Sequence, residues 1–126
     1  MEYRTRKIVK GGDLNGAGNL FGGRALEWID EEGAIFAFCQ LGHPKNLVTK
    51  AMSGIEFLAP GHANDLIEIG CETIAMGRTS ITIQVSMRNK TTENLIVRVE
   101  KMVFVNLDEN GNPTPHYCVM PEKVFV

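Results

Sequence analysis

Along residues 79–89 apolar and polar side chains alternate: Ile81, Ile83, Val85 and Met87 fall on one side, Thr82, Gln84, Ser86 and Arg88 on the other. A period of two marks a strand with one face on a core and the other toward water. Residues 47–58, 66–76 and 95–107 are also rich in Val, Ile, Thr and Phe and are parted by turn signals such as "APGHAND" and "MGR", while residues 3–9 read as a short edge strand. The stretch from Gly22 to about Gln40 behaves differently. It contains no proline, and its second half, "GAIFAFC", is apolar on every side, which predicts a helix enclosed by other structure rather than lying on a surface.

The order is therefore one strand, a long glycine-rich loop ("KGGDLNGAGN"), one long helix and four strands in succession. Consecutive strands joined by short turns form an antiparallel sheet, and a helix that is apolar all round must be wrapped by it, so the fold class is α+β with the sheet curled around a central helix. Such a sheet leaves an edge and a back face to cover, and pairing two copies about a two-fold axis covers both. At least a dimer is expected.

Length and composition narrow the reading without changing it. At 126 residues the chain has room for one core, and it shows no repeats or linkers, so a single domain over 1–126 is expected. Its net charge of -2 is scattered rather than gathered into arms, which gives no reason to expect nucleic acid or membrane as a partner. The opening "MEYRTRKIVK" is too charged for a secretory segment, and Cys39, Cys71 and Cys118 are an odd number without paired spacing, so a reducing, cytoplasmic setting is the natural reading. Asn89-Lys90-Thr91 and "LDENGNP" read as turns; in the second the acidic residues miss the alternate positions of a calcium loop.

Candidate chemistry gathers at the start of the helix. "GAGNLFG" approaches a dinucleotide fingerprint, but Phe21 holds the third glycine position and no parallel crossover follows, so that reading fails. Gly22 and Gly23 remain, at a helix terminus whose unpaired N–H groups and dipole favour a developing oxyanion. Asp30 stands seven residues beyond Gly23, roughly 10 Å along nearly the same face. That is too far for both groups to meet one reacting carbon from one chain, so if both act, a two-fold partner supplies one of them. Spacing alone leaves a second reading open, in which Glu27, Asp30, Glu31 and Glu32 form a solvated acidic face. His43, His62 and His116 lack partners at ligand spacing, and neither a metal nor a cofactor is implied.

Taken together, "GGDLNGAGNLFGGRALEWIDEEGAIFAF", "SGIEFLAPGHANDLIEI" and "MGRTSITIQVSM" resemble the acyl-CoA thioesterases of the hotdog fold, in the branch of the short bacterial acyl-CoA hydrolases and the tandem-domain hydrolases of animals. The resemblance covers about residues 7–108. It implies a curved antiparallel sheet around a central helix, homodimers with shared active sites, and a possible further assembly of dimers into hexamers. Carried over position by position, it puts the catalytic aspartate at Asp30 and the active-site asparagine at Asn15, supplied by opposite protomers. Gly22 and Gly23 become the oxyanion site of the thioester carbonyl. Gly77, Arg78, Thr79 and Ser80 resemble the turn that lies along CoA, with Arg78 either a phosphate partner or a solvated turn arginine. Phe21 stands where many relatives have His, and "LGHPKN" departs from their usual link after the helix.

The resemblance implies hydrolysis of acyl-CoA to free acid and CoA, with Asp30 as general base or as nucleophile; the sequence does not separate the two. A hotdog hydratase or dehydratase would use a His that this helix lacks. A non-catalytic acyl-CoA sensor could dispense with Asp30.

Overall fold

The computed structural model describes residues 1–120. Strand β1 (Glu2–Ile8) leads through a 3-10 turn at Gly11–Asp13 into helix α1 (Gly22–Gln40), followed by β2 (Leu47–Phe57), β3 (Leu66–Met76), β4 (Ser80–Asn89) and β5 (Leu95–Asn106). The strands expected from periodicity differ from these by no more than one residue at either end. They form one five-stranded sheet in the order β1-β3-β4-β5-β2 with every pair antiparallel. No helix among the described residues is long and apolar enough to cross a membrane.

The core lies between α1 and the concave face of the sheet. Ile81, Ile83, Val85 and Met87 of β4 are fully buried, as are their neighbours Val97, Val99, Met102 and Phe104 of β5 and Ile29 of the helix. The helix comes closest at Gly33, where a Cβ would stand 3.1 Å from the Met102 methyl and 3.3 Å from the Ile83 δ-carbon. A glycine there lets the backbone settle onto the sheet.

Two expectations are corrected. The polar face of β4 is not wet: Ser86 is buried, and Thr82, Gln84 and Arg88 are half-buried. Long side chains lie flat across that face, with the Arg88 guanidinium 3.7 Å from the Tyr3 ring centroid and hydrogen-bonded through Nε to Glu68 at 2.6 Å. Gly70 makes room for this cover, since a Cβ there would meet the Tyr3 ring at 2.9 Å. Nor is α1 enclosed on every side by its own chain. Its buried line is Ala25, Ile29, Gly33 and Ala37, while Ile35 and Phe38 are exposed. One sheet of five strands covers one side of a helix, and apolar residues pointing elsewhere stay uncovered within the protomer.

Candidate active site

The loop before α1 is held by its own polar side chains. Asn15 Oδ1 accepts the backbone N–H groups of Ala17 at 3.0 Å and Asn19 at 3.1 Å, and Gly18 takes a φ of 82°, so the residues between fold into a tight Asx turn. Asp13 ties the loop to the helix: its Oδ2 accepts the Lys10 N–H at 2.9 Å, its Oδ1 lies 3.3 Å from Arg24 Nε, and its carbonyl accepts the Phe21 N–H at 2.8 Å. Asp13 is not among the site residues expected from the sequence; the signal for it is its place two residues before Asn15 in "DLN".

The helix begins at Gly22 with Phe21 as N-cap, and no side chain caps it. Ala25 N–H is bonded to the Phe21 carbonyl at 3.0 Å, so the amides of Gly22 and Gly23 precede the first helical hydrogen bond and are left pointing outward. Both glycines sit against aromatic rings. A Cβ on Gly22 would lie 3.3 Å from Phe57 and one on Gly23 2.7 Å from Phe21. A groove of about 310 Å³ opens here, walled by Leu20, Ala25, Phe57, Leu58, Ile96 and Val97.

The acidic residues of α1 do not share one solvated face. Glu27 meets Arg24 at 3.0 Å and Glu31 is exposed, but Glu32 Oε2 accepts from Thr5 Oγ1 at 2.5 Å and Asp30 Oδ1 accepts from Thr49 Oγ1 at 2.7 Å. Asp30 is thereby half-buried and fixed against the first residues of β2. Nothing local in the sequence marks Thr49 as its partner, because the two meet only through the packing of helix on sheet.

The turn Gly77 to Ser80 is closed by Gly77 N–H on the Ser80 carbonyl at 2.9 Å. The Thr79 carbonyl accepts the Asn106 N–H at 2.8 Å and the Arg78 carbonyl that of His116 at 3.2 Å. His116 Nε2 lies 2.9 Å from the Ser80 carbonyl, and its Nδ1 accepts the Cys118 N–H at 2.9 Å, so Nε2 carries the proton and donates. Arg78 is exposed and makes no ion pair among the described residues. Thr79 and Ser80 border a depression of about 330 Å³ that also includes Lys50. Since Ser80 and Val48 both pair with Val105, this turn and Thr49 lie at one end of the sheet. Phe57 pairs with Val97 at the other end, beside the helix start.

The chain therefore carries Gly22 and Gly23, with the Asn15 loop before them, toward one end of the sheet, and Asp30 with Thr49 toward the other. Among the described residues no group of three His, Cys, Asp or Glu side chains is placed to hold a metal.

The thioesterase superfamily matches residues 17–96, well over half of the chain. The chain belongs to that family. It is 30% identical over 115 residues to an uncharacterised acyl-CoA thioester hydrolase of Bacillus subtilis, covering 87% of this chain and 64% of the longer relative. Its fold is similar to that of a hexameric thioesterase from Yersinia pestis, with a TM-score of 0.82, 27% identity, and 90% of this chain and 93% of that one covered. It is likewise similar to an acyl-CoA hydrolase from Staphylococcus aureus solved with butyryl-CoA, CoA and CoA disulfide, with a TM-score of 0.81, 28% identity, and 95% and 71% covered. These are hotdog-fold likenesses along nearly the whole chain. The thioesterase match takes in Gly22, Gly23, Asp30 and the Gly77–Ser80 turn, and Asn15 stands two residues before it.

Proposed function

We propose that this thioesterase-family chain hydrolyses acyl-CoA thioesters to the free acid and CoA. The observation that carries the reading is the presence, on one helix, of two outward glycine amides and of a carboxylate held by Thr49 seven residues further on. The names of its relatives support the substrate class. The Gly22 and Gly23 amides receive the thioester oxygen, where negative charge grows as the carbonyl carbon is attacked. Asp30 accepts the proton of the attacking water, or attacks the carbon itself and is released from the resulting anhydride by water. In either route the C–S bond breaks, CoA leaves as the thiolate and takes up a proton, and the acyl group departs as the acid. Asn15 places the carbonyl or the water. Arg78, with Lys50 beside its turn, attracts the CoA phosphates.

Because Gly23 and Asp30 lie roughly 10 Å apart along α1, a working site takes the glycine half from one protomer and the aspartate half from its partner. The outer edge of β2, an eleven-residue strand at the end of the sheet, is the natural surface for that pairing. A trimer of such dimers would match the hexamer of the Yersinia relative.

Free-thiol release from acyl-CoAs of graded length tests this directly, with wild type and Asp30→Ala side by side. Release that depends on Asp30 is the expected result. Acyl-CoA binding without loss of the thioester would replace hydrolysis by a sensor role.

A further inference from the structure

The groove at the helix start has mostly apolar walls, and several of the backbone amides around it are already paired. The Leu58 N–H is bonded to the Ile96 carbonyl at 2.8 Å, the Ala59 N–H to the same carbonyl at 3.4 Å, and the Leu20 N–H to the Gly61 carbonyl at 2.7 Å. The side chains facing the space are apolar apart from Asn19, and none is charged. A pantetheine arm, which carries two amides, would find only the Asn19 side chain and the Gly22 amide as partners, and a nucleotide would find no cation. A hydrocarbon chain needs neither. At about 310 Å³ the space is at the small end of ligand pockets.

Phe57 stands at the mouth of this groove. It is the last residue of β2, it is 56% exposed, and its ring lies over Gly22, within 3.3 Å of where a Cβ would be. Phe21, 55% exposed, flanks Gly23 in the same way. Two large rings left this open beside two bare amides are unusual for side chains that bury well. If the thioester oxygen rests on those amides, the first carbons of the acyl group must pass the edge of a phenyl ring.

We propose that Phe57 is a specificity-determining residue: its ring admits a straight acyl chain into the groove beside Gly22 and rejects chains branched at the carbon next to the thioester carbonyl. The inference rests on the hydrolase reading and adds the direction in which the acyl chain leaves the reacting carbon. The ring edge occupies the volume a methyl branch would need, while an unbranched methylene chain slides along its face. Truncating the ring opens that volume.

The test compares kcat/KM for butyryl-CoA and 2-methylbutyryl-CoA in wild type, Phe57→Leu and Phe57→Ala, with size-exclusion chromatography of each. A single methyl discriminated by shape is worth about tenfold or more in kcat/KM. The branched-to-straight ratio should rise by about that factor in Phe57→Ala and by less in Phe57→Leu, with assembly size unchanged. Hydrolysis with a ratio within about twofold of wild type in both variants overturns the inference while leaving the hydrolase reading intact. A changed assembly size with an unchanged ratio overturns it too, and marks the ring as an interface residue. No CoA release by wild type from either substrate overturns the hydrolase reading, and this inference with it.

Discussion

Thr49 Oγ1 donates to Asp30 Oδ1 across 2.7 Å, joining the middle of α1 to the first turn of chain in β2. The bond fixes one carboxylate oxygen, and the other has no hydrogen-bond partner among the described residues. Hydrogen bonds to a charged acceptor contribute about 1.5–3 kcal/mol, and here the contribution goes into the orientation of Asp30. Thr49→Val keeps the shape and removes the donor. It should lower kcat about tenfold with little change in KM, and Thr49→Ser should restore most of it, as steady-state kinetics on one acyl-CoA would read.

The proposed sharing of one site between two protomers predicts complementation. Asn15→Ala and Asp30→Ala should each lose about 10²-fold or more in turnover. Co-refolding the two inactive proteins should restore roughly a quarter of wild-type activity, because random pairing in a two-fold dimer makes half of the dimers mixed, each with one intact site of two. Mixtures no more active than their components would place both residues in the site of a single protomer.

Glu68 is almost wholly buried on the back of the sheet. Burial alone would raise its pKa, but the Arg88 hydrogen bond and the charges of Arg88, Lys90 and Arg6 outweigh it and hold the carboxyl below its ordinary value of 4.5. A folded-state pKa below the unfolded one stabilises above the unfolded value and loses that stability as pH falls through the folded one. Urea unfolding of Glu68→Gln should therefore differ most from wild type near neutrality, and the gap should narrow as pH falls below 4.5. A gap that stays constant down to pH 3 would show that the ion pair does not drive this dependence.

Gly54 interrupts the edge strand β2 with a φ of 65°, and a Cβ there would stand 2.7 Å from the Glu100 Cβ. Gly54→Ala meets both penalties, the left-handed backbone alone costing on the order of 1–2 kcal/mol. Its melting temperature should drop by several degrees, whereas Gly16→Ala, with nothing within 4 Å of the added carbon and no positive φ, should leave melting nearly unchanged. Equal effects in the two variants would remove the backbone argument.

Much of the molecule was legible in the order of its residues because the signals are local. Alternation at Ile81, Ile83, Val85 and Met87 marks a strand whatever lies beside it, and the proline-free run from Gly22 to Gln40 marks a helix. The glycine pair and Asp30 could be placed on one helix face by counting, since helical spacing converts residue number into distance. What could not be counted were meetings between distant segments. Thr49 reaches Asp30, Thr5 reaches Glu32, and Tyr3 lies over Arg88, across sequence gaps that carry no period.

By itself, then, the sequence determined the elements, their order, and which carboxylate and which amides share a helix, because each follows from backbone geometry within a few residues. Only the tertiary structure decided that, of the four acidic residues on α1, Asp30 meets Thr49 and Glu32 meets Thr5, while Glu27 pairs with Arg24 and Glu31 stays exposed. It also decided that Phe57 closes over Gly22 and that Ile35 and Phe38 stay uncovered within a protomer. Those outcomes depend on how far one sheet of five strands can curl around a helix, and no local pattern encodes that curvature.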